Sequence, residues 1–267
     1  MFPVLSRYTK YAVASAATFV FNLGTCPSPP FGSRLVKTIN NRITDTQVAV
    51  FQDDTAKEFI VSFPGSTSIR DFVTDFVFFL TPLTTAPGCD GCEVHSGLFF
   101  AWRSVKNDLT AALEKLRNQH SDYSTIIVGH SLGGGLASLA YTDLKSNGVP
   151  VKSAYTMGAL RTGNQEYADF TDRLAGASDD ALGALIRITH NRDVVVNMPS
   201  RDLRFQHTGT EIYQVDNAAG TQTAETTYRC YGQEATDCSF GSADGFINLE
   251  HLEYSGVNMV NGDTCRS

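Results

Sequence analysis

Ser131 stands in the run Gly129-His130-Ser131-Leu132-Gly133, with Ile126-Ile127-Val128 before it and Gly134-Gly135-Leu136-Ala137 after it. The order reads strand, tight turn, helix, the context in which a GxSxG pattern carries chemical meaning. A serine on a strained turn needs neighbours of little bulk two residues to either side, which accounts for the two glycines. The turn lifts the hydroxyl into the open. The following helix aims its first amides at the same point, a place that favours an anion. This is the chemistry of an activated serine nucleophile, and Leu132, directly after it, would offer its amide to the developing oxyanion. The plain alternative is a glycine-rich strand-to-helix turn carrying a solvated serine.

Such a hydroxyl attacks only when a histidine takes its proton and a carboxylate fixes that histidine's tautomer. In sheets of this type the three follow along the chain as Ser, Asp, His. Six histidines compete. His95, His120 and His130 precede or adjoin the serine. His190 falls at a strand end, His207 in Arg204-Phe-Gln-His207 reads as a structural contact, and His251 lies in the last loop after a Gly-rich approach. Asp193 follows the apolar run Leu185-Ile186-Arg187-Ile188-Thr189, and so sits at a strand's C-terminal end, where these sheets place their sites. Asp202 and the pair Asp179-Asp180 are its rivals; the pair precedes the strand on a polar, loop-like stretch.

The elements that must position these groups are legible as alternating patterns. Strand-like runs recur at Val48–Phe51, Glu58–Ser62, Thr125–Val128, Ser153–Met157, Ala184–Thr189 and Glu211–Val215. Helical patterns lie between several of them: Leu98–Gln119, with Leu98, Trp102, Val105, Leu109, Leu113 and Leu116 on one face, then Leu132–Lys145 and Glu166–Leu174. Strands alternating with helices of this length indicate an α/β sheet with crossover helices. Ile126-Ile127-Val128 shows no polar alternation, as expected of a strand covered on both faces. At the N-terminus Leu5, Tyr8, Ala12, Ala16 and Phe19 recur at helical intervals, which reads as a buried helix in preference to a signal peptide. No repeat, low-complexity tract or linker divides the chain, so one domain over residues 1–267 is expected.

Composition narrows the partners. A net charge of -7 gives no basic face for nucleic acid, and no apolar run has the ~20 residues a membrane span needs. Cys89-Asp-Gly-Cys92 is a weak metal signal, because Cys230 and Cys238 are too widely spaced to be the second half of a zinc site. Six cysteines fit three disulfides and an oxidising compartment. Sequence alone leaves every pairing open. There is no Asn-x-Ser/Thr sequon. No metal or organic cofactor is indicated.

The motifs together resemble one family. Gly-His-Ser-Leu-Gly-Gly followed by a helix of small residues is similar to the filamentous-fungal class 3 lipases and the related type-A feruloyl esterases. Val61-Ser62-Phe63-Pro64-Gly65-Ser66-Thr67-Ser68-Ile69 resembles their oxyanion strand and lid entry, and Cys89–Gly97 their short disulfide loop. Met157–Asn164 resembles a turn after the next strand, Thr189–Pro199 the acid loop, and His251-Leu-Glu-Tyr254 the histidine segment. The likeness runs from about residue 5 to Cys265. It implies an α/β-hydrolase fold, a mostly parallel central sheet flanked by helices, with a short helical lid. It also implies a Ser131–Asp193–His251 triad, an oxyanion hole of Ser66 and Leu132, and the disulfides Cys89–Cys92, Cys230–Cys238 and Cys26–Cys265. Pro64 departs from the family's arginine and Leu160 from its proline.

The lid would span about residues 67–80. Ile69, Phe72, Val73 and Phe76 repeat at three and four residues, while Arg70, Asp71, Thr74 and Asp75 fill the other face, a short amphipathic helix. Type-A feruloyl esterases carry a tyrosine where Phe78 falls and end in tryptophan past the last cysteine, where this chain has Arg266-Ser267. Phenylalanines suit acyl chains better than phenolic acids. The expected function is therefore that of a secreted, monomeric lipase working on acylglycerol esters at a lipid-water interface. A feruloyl-type carboxylesterase acting on plant cell-wall esters is the nearest rival, and a lipid-binding protein without turnover a more distant one.

Overall fold

A computed structural model describes residues 1–20, 24–65, 79–242, 249–260 and 262–265. Helix α1 (Phe2–Val20) turns Leu5, Tyr8 and Ala12 inward, as its apolar spacing requires. Strands β1 (Arg34–Asn41), β2 (Thr46–Asp53) and β3 (Glu58–Phe63) follow, each antiparallel to the next. A small antiparallel pair follows, β4 (Leu80–Pro82) with β5 (Glu93–His95). Helices and strands alternate after that: α2 (Ser96–Gln119), β6 (Ser124–His130), α3 (Leu132–Ser146), β7 (Val151–Met157), α4 (Gln165–Ala175) and β8 (Leu185–His190). β9 (Glu211–Gln214) and β10 (Thr227–Cys230) complete the main sheet. A short helix α5 (Ser239–Ser242) and the pair β11 (Glu253–Tyr254) and β12 (Val257–Asn258) follow.

The main sheet has eight strands in the order β1-β2-β3-β6-β7-β8-β9-β10. From β3 to β9 the neighbours are parallel, and β10 returns antiparallel. Along β6 the side chains alternate between two cores. Ile126 and Val128 join Ala49, Phe51 and Ile60 beneath Tyr8, Tyr11 and Ala14 of α1. Ile127 faces the other way and joins Val48, Val50 and Val61 beneath Trp102, Val105 and Leu109 of α2 and Leu136 and Ala140 of α3. Helices thus cover both faces, which is why this strand needs apolar residues at every position. The arrangement is the α/β-hydrolase fold.

Register aligns the strand ends. Phe63 pairs with Gly129, His130 with Met157, and Met157 with Ile188. The turns after β3, β6, β7 and β8 consequently emerge along one edge, where sheets of this class hold their sites.

Three disulfides brace the chain: Cys89–Cys92, Cys230–Cys238 and Cys26–Cys265. The last joins residues separated by 239 positions and packs against α1, where Thr18 and Ala14 contact Cys265.

Candidate active site

Ser131 occupies the turn between β6 and α3 with φ 57° and ψ -124°, a left-handed conformation that a side-chain-bearing residue adopts at a cost. The surroundings enforce it. The Ser131 N–H donates to the Met157 carbonyl at 2.9 Å, and its own carbonyl accepts from Gly134 at 2.9 Å. A Cβ on Gly129 would lie 2.0 Å from the Gly133 carbonyl oxygen, and one on Gly133 would lie 2.2 Å from the carbonyl oxygen of Phe63. The two glycines flanking the serine therefore let α3 begin hard against the end of β3. Leu132 opens α3, so its N–H has no acceptor within the helix. Gly65 lies against the same point, since a Cβ there would meet Ser131 Cβ at 3.3 Å.

His251 and Asp193 come together from the far side. Asp193 follows β8, and His251 lies in a 3-10 turn, Leu249–Leu252, just before β11. Both are fully buried. His251 Nδ1 donates to Asp193 Oδ2 at 2.7 Å. That bond fixes the tautomer with Nε2 as the basic nitrogen, and Nε2 has no hydrogen-bond partner among the described residues. Asp193 Oδ2 also accepts from the Tyr254 hydroxyl, and Oδ1 from the Val195 N–H at 2.9 Å. Burial pushes the Asp193 carboxyl up. The neighbouring His251 and the donors His251, Tyr254 and Val195 outweigh it, so the group is held ionised below the usual carboxylate range.

Gly158, at the end of β7, makes room for this cluster: a Cβ there would meet the Tyr254 hydroxyl at 2.5 Å and the His251 ring at 3.0 Å. His130, beside the serine, lies tilted against the His251 ring with centroids 4.7 Å apart and donates Nε2–H to the His251 carbonyl at 2.9 Å. Burial, helped by the nearby His251, pushes its pKa down to about 3 and keeps it neutral.

The acid loop has its own support. Arg161, buried after β7, donates Nη1–H to the carbonyls of Asn197 and Pro199 and pairs through Nε with Glu234 at 2.8 Å. Burial raises the Glu234 carboxyl, but Arg161 above all holds it down, to about 2. His207 donates Nε2–H to the Val196 carbonyl at 2.6 Å, a structural contact. His95 caps α2, accepting from Gly97 and Leu98. Asp202, Asp179 and Asp180 are exposed. Glu250, next to the base, does not turn toward the His251 ring nitrogens; its Oε2 accepts from the Arg192 N–H at 2.6 Å.

Of the residues nominated from sequence, Ser131, Leu132, Asp193 and His251 lie along this edge of the sheet. Ser66, Ile69, Phe72, Val73, Phe76 and Phe78 lie outside the described residues, as does all but the end of the expected lid. The segment His251-Leu-Glu-Tyr254 also supplies the acid with a donor, Tyr254, a role that the sequence pattern does not mark. Among the described residues no group of three or more His, Cys, Asp or Glu is arranged to hold a metal ion, and no helix is long and apolar enough to cross a membrane.

Comparison with known proteins gives one answer. The family described as "Lipase (class 3)" matches residues 60–203. A "Lipase" from Rhizomucor miehei is 31% identical over 231 residues, covering 84% of this chain and 59% of its own length. The chain thus spans under two thirds of that relative. A "Secreted alkaline triacylglycerol lipase" from Penicillium cyclopium is 31% identical over 264 residues, covering 97% of this chain and 85% of that protein. Among solved structures, a triacylglycerol lipase described as having a serine protease triad at its catalytic centre superimposes with a TM-score of 0.83 at 28% identity, over 97% of this chain and 96% of the other.

Proposed function

The chain belongs to the class 3 lipase family, and on that premise we propose that it hydrolyses acylglycerol esters through an acyl-enzyme on Ser131. The observation that carries this reading is the buried His251–Asp193 hydrogen bond of 2.7 Å at the same sheet edge as a serine held at φ 57°. His251 Nε2 takes the Ser131 proton as Oγ attacks the ester carbonyl. Asp193 stabilises the imidazolium that results. The tetrahedral oxyanion accepts from the Leu132 N–H and, by family likeness, from Ser66. His251 then returns its proton to the leaving alcohol, and a water repeats the sequence to release the fatty acid.

The amphipathic run from Ile69 to Phe78 is assigned to covering the acyl site on its sequence pattern alone. Secretion is supported by three disulfides and by a relative named as secreted. Residues 1–267 are read as one domain, acting as a monomer at a lipid-water interface.

The test has two arms. Ser131 is expected to be labelled by a fluorophosphonate, and Ser131→Ala to lose hydrolysis by several orders of magnitude; an active alanine variant would sink the mechanism. Rates on emulsified acylglycerols are expected to exceed those on methyl ferulate, and the reverse order would move the chain to the feruloyl esterase branch.

A further inference from the structure

A second histidine–carboxylate pair lies behind the first. His190 ends β8, shortly before Asp193, and is buried. Its Nδ1 faces the Glu250 carbonyl oxygen at 2.9 Å, so that nitrogen carries a proton and donates it. Its Nε2 lies 2.9 Å from Asp216 Oδ1 and 3.1 Å from Gln222 Nε2. Asp216 is itself held in place: Oδ1 accepts from Gln222 Nε2 at 2.6 Å and Oδ2 from Asn191 Nδ2 at 2.9 Å. Gln222 Oε1 in turn accepts from the Gly256 N–H at 2.9 Å. One polar network thus ties the end of β8, the chain after β9 and the segment carrying His251.

The base is gripped on both sides. Glu250 supplies the carbonyl before His251, and His190 holds it. The carbonyl after the His251 side chain is held by His130 at 2.9 Å. Each flanking peptide plane is fixed by a buried imidazole N–H, and together they set the direction in which the His251 side chain leaves the backbone. The ring then has only two torsions with which to meet both Asp193 and the serine hydroxyl. Displacement of a reacting group by about 1 Å can cost about a hundredfold in rate.

We infer that His190, backed by Asp216, is a positioning residue for His251, acting through the Glu250 carbonyl. The inference rests on the reading of Ser131, Asp193 and His251 as a triad. It makes a distinction between two near-isosteric substitutions. In His190→Asn the amide nitrogen takes the place of ring Nδ1 and keeps the bond to Glu250. In His190→Gln it takes the place of Nε2, keeping Asp216 and losing Glu250.

The experiment measures kcat and KM of the full chain on a soluble short-chain p-nitrophenyl ester, with fluorophosphonate labelling of Ser131 and urea midpoints alongside. His190→Gln is expected to lower kcat by about 10-fold to 100-fold with KM unchanged, and His190→Asn to recover most of the loss at a similar urea midpoint. The downfield proton resonance of the His251–Asp193 bond is expected to shift in the glutamine variant and return in the asparagine variant. Wild-type kcat in folded His190→Gln overturns the inference, as does equal loss in both variants that follows the folded fraction. If the glutamine variant is not recovered folded, Asp216→Asn carries the comparison: kcat falls at constant KM, and an unchanged kcat overturns the inference. Absence of a label on wild-type Ser131 defeats the triad reading and this inference with it. A labelled wild type with an unaffected glutamine variant defeats this inference alone.

Discussion

At the residue scale the acid is the most heavily supported group of the site. Asp193 accepts from His251, Tyr254 and the Val195 backbone, and a donor to an ionised buried group is worth ~1.5–3 kcal/mol. Tyr254→Phe removes one donor and leaves the ring in place. It is expected to lower kcat about tenfold with KM little changed, read on a soluble ester; an unchanged kcat would show the hydroxyl to be dispensable. Asp193→Asn leaves the shape but allows the wrong tautomer of His251, and turnover is expected to fall about 10⁴-fold with the melting temperature nearly retained. Ser131 and its glycines were readable in sequence because strain demands particular residue types locally. Tyr254 was not assigned, because its role depends on a contact with Asp193 across 61 positions that no local pattern records.

At the element scale, the strands flanked on both sides were legible and the polar ones were not. Val48–Phe51, Thr125–Val128 and Ala184–Thr189 fall within β2, β6 and β8, give or take an end residue. β1 and β10 show no strand-like run in sequence. β1 is an edge strand with only Ile39 buried along it, so Lys37, Asn40 and Asn41 dilute any apolar alternation. β10, at the other edge, shows the same dilution. At the junction of β3 with α3 backbone meets backbone with no room for a side chain. Gly133→Ala drives a methyl to 2.2 Å from the Phe63 carbonyl oxygen, and overpacking of this kind costs ~1–3 kcal/mol. A lower urea midpoint is expected together with a loss of activity larger than the loss of folded protein, because the Leu132 amide moves with the helix.

At the scale of the whole molecule, acid acts on buried histidines. Burial pushes His95 down to about 4 and His130 to about 3, and holds His207 well below 6.5. The folded chain keeps these rings neutral while the unfolded chain takes up protons below ~6.5. Unfolding therefore binds protons, and stability falls as pH drops from about 6.5 toward about 3. Glu234 is shifted in the same direction, by Arg161 against the upward push of burial, and with the same consequence. Its folded pKa of about 2 contributes stability above its ordinary 4.5, lost as pH falls through the folded value. Urea midpoints are expected to be lower at about pH 4.5 than at about pH 7. In His130→Asn, if it folds, the difference is expected to narrow; a pH-independent midpoint in the parent chain would refute the account.

The bond between Cys26 and Cys265 makes one further difference, to what a break in the backbone can do. Residues 26 to 265 form a closed covalent ring. A single protease cut anywhere inside it opens the ring without releasing a piece, so the nicked chain still migrates as one species until a reductant is added. The strands on either side of such a cut stay tethered at the wall of α1, where Cys265 packs. Damage that would divide an ordinary chain into two diffusing fragments leaves this one with both halves in place to refold.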